Sequence, residues 1–259
     1  MNHLEFKDHF SQGSEAYAAY RPDYPIDLIH ELAKMSPSQN CVLDCGCGTG
    51  QLSVLLADKF DQVIATDASS SQIEKAQKHQ GVRYHTALAE DSGLADQSVD
   101  LITVAQAAHW LDLERFYPEV QRIAKPNAVL ALITYGVLHV EGSADSLIQK
   151  FYSETIAAYW PAERKHVEEG YQNLAFPFPE LGIPTINMQA HWNLDELMGY
   201  LNTWSAVKAA EKALGYNPVH ALRTALLAEW SDIFAKKKIT WPLTIRAGKV
   251  NATCNKETI

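Results

Sequence analysis

The 259-residue chain is 47% hydrophobic and 20% charged, with a formal net charge of -9 and an isoelectric point near 5.5. It is long enough for one large α/β unit with an insertion. The acidic balance argues against a nucleic-acid surface, which needs clustered Lys and Arg, and the one basic run, Lys236-Lys237-Lys238, is short. No apolar run approaches the ~20 residues of a membrane span, and Met1 to Phe10 carries no signal-peptide core; a cytoplasmic protein with no membrane partner is expected.

The first element is the most informative. Cys41-Val42-Leu43 reads as a strand ending in Asp44, followed by Gly46, Gly48 and Gly50 at alternate positions and a helical stripe of Leu52, Leu55, Leu56 and Phe60. Glycines between a strand and a helix let backbone approach a ligand, because no Cβ intervenes. Gln62 to Asp67 predicts a buried strand ending in an acid. Ser69 and Gln72 fit a capping box for a helix running to about His79, stopped by Gly81. Strands are predicted over Val82–Ala87 and Val99–Ala105. Asp112 is placed to cap a helix carrying Leu113, Phe116, Val120 and Ile123, with Pro118 expected to kink it or shorten its start. Lys125-Pro126-Asn127 ends that helix, and a fifth strand runs from Ala128 to Tyr135.

This alternation means βαβ units with right-handed crossovers and a mostly parallel sheet. Beyond Gly142 the rhythm breaks. A helix and a stretch rich in Pro and aromatics occupy 143–180, a strand Thr185–Trp192, helices Leu194–Lys212 and Val219–Phe234, and a last strand Ile239–Ala247. The expected division is an N-terminal flap and binding core over 1–142, a helical cap over 143–235 that lends one strand to the sheet, and a last strand with tail over 236–259. Three of the four cysteines lie between Cys41 and Cys47 and the fourth is Cys254. Their spacing completes no zinc site, so reduced thiols and no metal are expected.

The glycine turn, in the order D-x-G-x-G-x-G, resembles motif I of the class I S-adenosylmethionine (AdoMet) methyltransferases. The segments Tyr17–Pro25, Ala105–Asp112 and Tyr200–Ala206 are similar to those of the trans-aconitate methyltransferase-like branch, the methyltransferase type 11 domain, from about Phe6 to Arg246. The resemblance implies a Rossmann-like α/β fold, a seven-stranded mostly parallel sheet with an antiparallel last strand and a helical cap. It implies methyl transfer from AdoMet to a small molecule, with carboxylates among the acceptors. The cofactor site then comprises Asp44, Gly46, Cys47, Gly48 and Gln51 around the turn. Asp67, with Ala68, lies at the ribose, and Ala89 and Glu90 lie over the adenine. Gln106 is expected at the methionine portion, with Tyr20 and Arg21 in a flap whose Arg21 pairs with the methionine carboxylate.

Many AdoMet enzymes carry an acid where this chain has Leu88, so Glu90, Asp91 or a backbone carbonyl is left for the adenine amino group. His109 and Trp110 are the catalytic candidates. His109 is a base for a hydroxyl acceptor or a cation for a carboxylate, and Trp110 a π-face for the sulfonium. Their structural alternatives are a backbone-bonded histidine and plain packing. Trp160, Arg164, Tyr171, Phe176, Trp192, Tyr200 and Trp204 are candidates to line the cap pocket, most of the aromatics being expected in the core. Two competing readings stay open: an AdoMet-binding module without turnover, and a nicotinamide-dependent oxidoreductase. The oligomeric state is not readable.

Overall fold

The computed structural model describes residues 22–230 and 232–251. A helix that the sequence reading passed over comes first. In α1 (Ile26–Met35), Leu28, Ile29, Leu32 and Ala33 form one buried stripe, with Asp27 in the first turn and Lys34 in the last complementing the helix dipole.

The βαβ run then follows: β1 (Cys41–Cys45), α2 (Gln51–Leu56), β2 (Gln62–Asp67), α3 (Ser70–Glu74), β3 (Val82–Thr86), β4 (Val99–Ala105), α4 (Leu113–Ile123) and β5 (Ala124–Tyr135). β1 pairs in parallel with β2 and β4, and β4 with β5, which places the strand ends carrying Asp44, Asp67 and Ala105 along one sheet edge. Successive strand residues face opposite sides. Val42, Leu101 and Val129 join the core on one face, and Leu43, Ile102 and Leu130 the core on the other.

The remainder comprises β6 (His139–Val140), α5 (Ala144–Lys150) with a π-helical turn at Phe151–Thr155, α6 (Arg164–Glu168), β7 (Asn187–Trp192), α7 (Leu194–Leu201), α8 (Ser205–Leu214), α9 (Val219–Trp230) and β8 (Lys237–Lys249). The sheet order is β3-β2-β1-β4-β5-β8-β6, with β7 also on β8. β8 is antiparallel to its partners. Its second half pairs with β5, Tyr135 opposite Leu243, and its first half carries β7 and β6. The cap helices bury a separate aromatic-rich core against that first half. Trp192, Tyr200 and Trp241 meet edge-on or tilted with centroids 5.0 to 5.7 Å apart, and Tyr200 meets Trp204 at 5.9 Å.

The expected α/β, mostly parallel sheet is present, with eight strands among the described residues rather than seven because of the two-residue β6. Other departures are local. α3 ends at Glu74, not His79, and Ser69 makes no side-chain cap. Asp112 does cap α4, accepting from Arg115 N at 3.4 Å, and Pro118 leaves the start of α4 at Leu113. β5 starts directly after α4 because Val99 pairs with Ala124 ahead of a register shift, where Asn127 takes φ 62°. The helix expected over Leu194–Lys212 is two, broken at 202–204. Asn193 opens the first with a capping box closed by Glu196. Cys41, Cys45 and Cys47 are buried free thiols. Among the described residues no helix is long and apolar enough to cross a membrane, and no group of three or more His, Cys, Asp or Glu is placed to hold a metal.

Candidate active site

Between the ends of β1, β2 and β4 the chain leaves a crevice lined by Asp44, Gly46, Cys47, Gly48, Gln51, Asp67, Gln106 and Trp110. Its floor is the glycine turn. Gly46, Gly48 and Gly50 all take positive φ (68°, 56° and 85°), a left-handed conformation that costs other L-residues about 1–2 kcal/mol. A Cβ at Gly46 would strike Ala107 Cβ at 2.7 Å, and one at Gly50 would strike the Tyr84 hydroxyl. At Gly48 the nearest atom would be Gln72 Oε1 at 4.0 Å, so its bare backbone faces the crevice.

The acids are held by backbone and hydroxyl donors. Asp67 Oδ2 accepts the Gly48 amide and Oδ1 the Ser69 amide, both at 2.9 Å. Asp44 is 1% exposed, and its carboxylate accepts Ser53 Oγ at 2.5 Å and Thr103 Oγ1 at 2.8 Å. Burial pushes Asp44 up to about 6, opposed by those two hydroxyl bonds and aided by the neighbouring charge of Asp67. The Cys47 thiol is driven far above its ordinary value, chiefly by burial, which makes it inert.

Gln106 occupies the end of β4 in a left-handed conformation, φ 56°, rare for a residue with a Cβ and typical of functional sites. Its amide nitrogen donates to the Tyr135 carbonyl and its oxygen accepts from Thr134 Oγ1, both at 3.1 Å. Behind this wall His109 Nδ1 shares a hydrogen bond with Tyr171 Oη at 2.8 Å. Burial, with help from Arg164 and His166, holds His109 down to about 3. The ring is neutral at pH 7, so the cationic role expected toward a carboxylate acceptor is unavailable and it is a weak base. His109 sits beside Trp110, ring centroids 4.7 Å apart; Trp110 lines the crevice and His109 does not.

Three other expected positions fall outside the crevice lining: Ala68, Ala89 and Glu90. Glu90 Oε1 accepts the Asp112 amide at 3.0 Å, which ties the loop after β3 to the start of α4. Tyr20 and Arg21 lie outside the described residues. None of the seven cap candidates lines the crevice: Tyr171, Tyr200 and Trp204 are buried, and Phe176 packs under Arg246 at 4.8 Å. The sequence reading missed Pro22, Tyr24, Leu52, Gln72, Ala105, Ala107 and Tyr135 on the wall. Their signal was positional, since Ala105 and Tyr135 close β4 and β5 and Pro22 and Tyr24 belong to the aromatic segment before α1.

These residues fit AdoMet. Two acids line the crevice, suited to a ligand that carries an ammonium and a sulfonium, and no side chain crowds Gly48. The Gln51 amide nitrogen is buried with no partner among the described residues, a donor that a ligand would satisfy.

Comparison with known proteins agrees. Residues 43–132 match the family described as Methyltransferase domain. A protein named as a methyltransferase, from Dictyostelium discoideum, is 33% identical, over 91% of each chain. The solved structure of a protein named as a type II methyltransferase, from Anaeromyxobacter dehalogenans, superposes with a TM-score of 0.86 at 43% identity, over 90% of this chain and 99% of that one. A malonyl-[acyl-carrier protein] O-methyltransferase from Methylovorus is 26% identical, over 71% of this chain and 64% of its own. The glycine turn, the strand-end acids and this likeness over nearly the whole chain give one conclusion: the chain belongs to the class I S-adenosylmethionine-dependent methyltransferases.

Proposed function

We propose that the crevice binds AdoMet and that the enzyme transfers its methyl group to a small-molecule carboxylate. The observation that carries the cofactor reading is the union of the glycine turn with the acid at the end of β2, through Gly48 N–H and Asp67. A carboxylate oxygen accepts more than one hydrogen bond, so Asp67, while holding the two backbone amides, also suits ribose hydroxyls. Asp44, charged above about pH 6, stabilises the cationic end of the ligand. Glu90 is better read as a loop anchor, which leaves backbone groups near Ala89 for the adenine edge. Residues 143–235 serve as the acceptor-side cap.

When bound, AdoMet supplies a methyl carbon activated by a positive sulfur and open to in-line displacement. The chain then has to align and to exclude water. Gln106, clamped by Thr134 and Tyr135, fixes the end of β4. Trp110, Tyr24 and Tyr135 present aromatic surface to the crevice, favourable beside a sulfonium. His109 positions Trp110 and the acceptor wall as a neutral ring. A carboxylate acceptor needs no base, which agrees with a His109 held at a pKa of about 3, too low for an effective one. The Methylovorus relative is named for O-methylation of a malonyl group on a carrier protein, and a carboxylate acceptor here is in keeping with that name.

Titration calorimetry with AdoMet and S-adenosylhomocysteine tests the cofactor reading: both bind to wild type with one site. Methyl transfer to a panel of small carboxylates tests the acceptor, and turnover confined to alcohols or amines would contradict it.

A further inference from the structure

One arginine within residues 143–235 is held by aromatic rings rather than by an acid. Arg122, Arg223 and Arg246 each pair with a carboxylate. Arg164, half-buried at the start of α6, has no ion pair among the described residues. Its guanidinium lies 4.8 Å over the Trp160 ring and 5.6 Å over the Tyr152 ring, and its Nε donates to Tyr152 Oη at 2.9 Å. The nearby carboxylate of Glu168 accepts that same tyrosine hydroxyl, so Arg164 is oriented without a direct ion pair among the described residues.

The clamp is rigid. Tyr152, Trp160 and Trp204 form a triangle of ring contacts 5.1 to 5.7 Å apart, continuous through Tyr200 with Trp241 of β8. Two further polar atoms in this region, Trp160 Nε1 and His166 Nδ1, are buried without partners among the described residues. Buried polar atoms are normally satisfied, and each orphan costs about 1–3 kcal/mol. The region also adjoins the crevice: α6 packs on the turn Ala108–Trp110, whose Trp110 is a crevice wall.

We propose that Arg164 is a specificity residue that anchors a carboxylate of the methyl acceptor, with the Trp160 indole N–H and the His166 ring completing the polar set. A pre-oriented guanidinium fork matches the two oxygens of a carboxylate. The aromatic faces beneath it shed water and strengthen the pair. This rests on the methyltransferase reading above and adds to it the residue that selects the acceptor.

The test is calorimetry on protein loaded with S-adenosylhomocysteine, titrated with malonate, trans-aconitate and benzoate, and with malonamide, benzamide and phenyl phosphate for comparison. At least one carboxylate is expected to bind wild type, at least tenfold tighter than its amide. Arg164→Gln should weaken that binding tenfold or more and Arg164→Lys should restore part of it, while affinity for S-adenosylhomocysteine stays within twofold. Trp160→Phe, which keeps the aromatic support and removes the N–H, should weaken binding about threefold and keeps the test intact if R164Q misfolds. The proposal is overturned if no carboxylate binds, if the amides or phenyl phosphate bind as well, or if both R164Q and W160F leave the affinity unchanged. Failure of S-adenosylhomocysteine to bind wild type would overturn the cofactor reading instead.

Discussion

Gly48 donates its backbone amide to Asp67 at 2.9 Å, joining the turn after β1 to the acid at the end of β2. One side chain therefore shapes the turn and, in the function proposed, holds the ribose. Asp67→Ala should weaken S-adenosylhomocysteine binding by about 1–3 kcal/mol, the usual scale for hydrogen bonds to a charged group. It should also lower the melting temperature by loosening the turn. Calorimetry and thermal melts read the two effects separately, and unchanged affinity would remove Asp67 from the site.

Gly48→Val places a branched side chain where φ is 56° and where the space opens on the crevice. The strain is about 1–2 kcal/mol, which a domain of ordinary stability survives. Cofactor affinity should fall at least a hundredfold while far-UV circular dichroism stays native. A folded variant that binds normally would place the cofactor elsewhere.

Asp44 gives a pH dependence with a definite sign. Burial raises it from an ordinary 3.8 to about 6, so the unfolded chain releases this proton first. Its contribution to stability is greatest below 3.8 and is lost as pH rises to about 6. Binding runs the other way, because the charged carboxylate attracts a cationic ligand. AdoMet affinity should rise on the order of tenfold (about 1.4 kcal/mol) between pH 5 and 7.5 and be flat in Asp44→Asn. Titrations across that range decide it.

His109 is depressed from 6.5 to about 3. The unfolded chain takes up a proton at this ring as pH falls below 6.5 while the folded chain does not, so stability is lost progressively from 6.5 toward 3. The rate profile of wild type should show no inflection from this residue between pH 6 and 8. His109→Ala and Tyr171→Phe should both lower turnover by about tenfold, less than the 10²–10⁴ of a general base, and leave cofactor affinity unchanged. An inflection near 6.5 that vanishes in H109A would restore the base role.

The parallel half of the fold was legible because each strand there is a short apolar run between turn signals, and the crevice acids sit at strand ends where the fold places ligands. The cap was less so. The break between α7 and α8 at 202–204 interrupts an otherwise continuous helical pattern, and β6 is a strand only because β8 lies beside it. His109 and Arg164 show the same limit at the level of chemistry. Sequence marked both residues, but the neutrality of His109 arises from its burial and from Arg164 and His166, more than fifty positions away, and the clamp on Arg164 from Tyr152 and Trp160.

The most direct test of the account is a crystal structure of the protein with S-adenosylhomocysteine. The account predicts the nucleoside against the backbone of Gly46 to Gly48, both ribose hydroxyls on the Asp67 carboxylate, and the thioether facing Trp110 and Gln106. An empty crevice at saturating ligand, or a ribose turned away from Asp67, would contradict it.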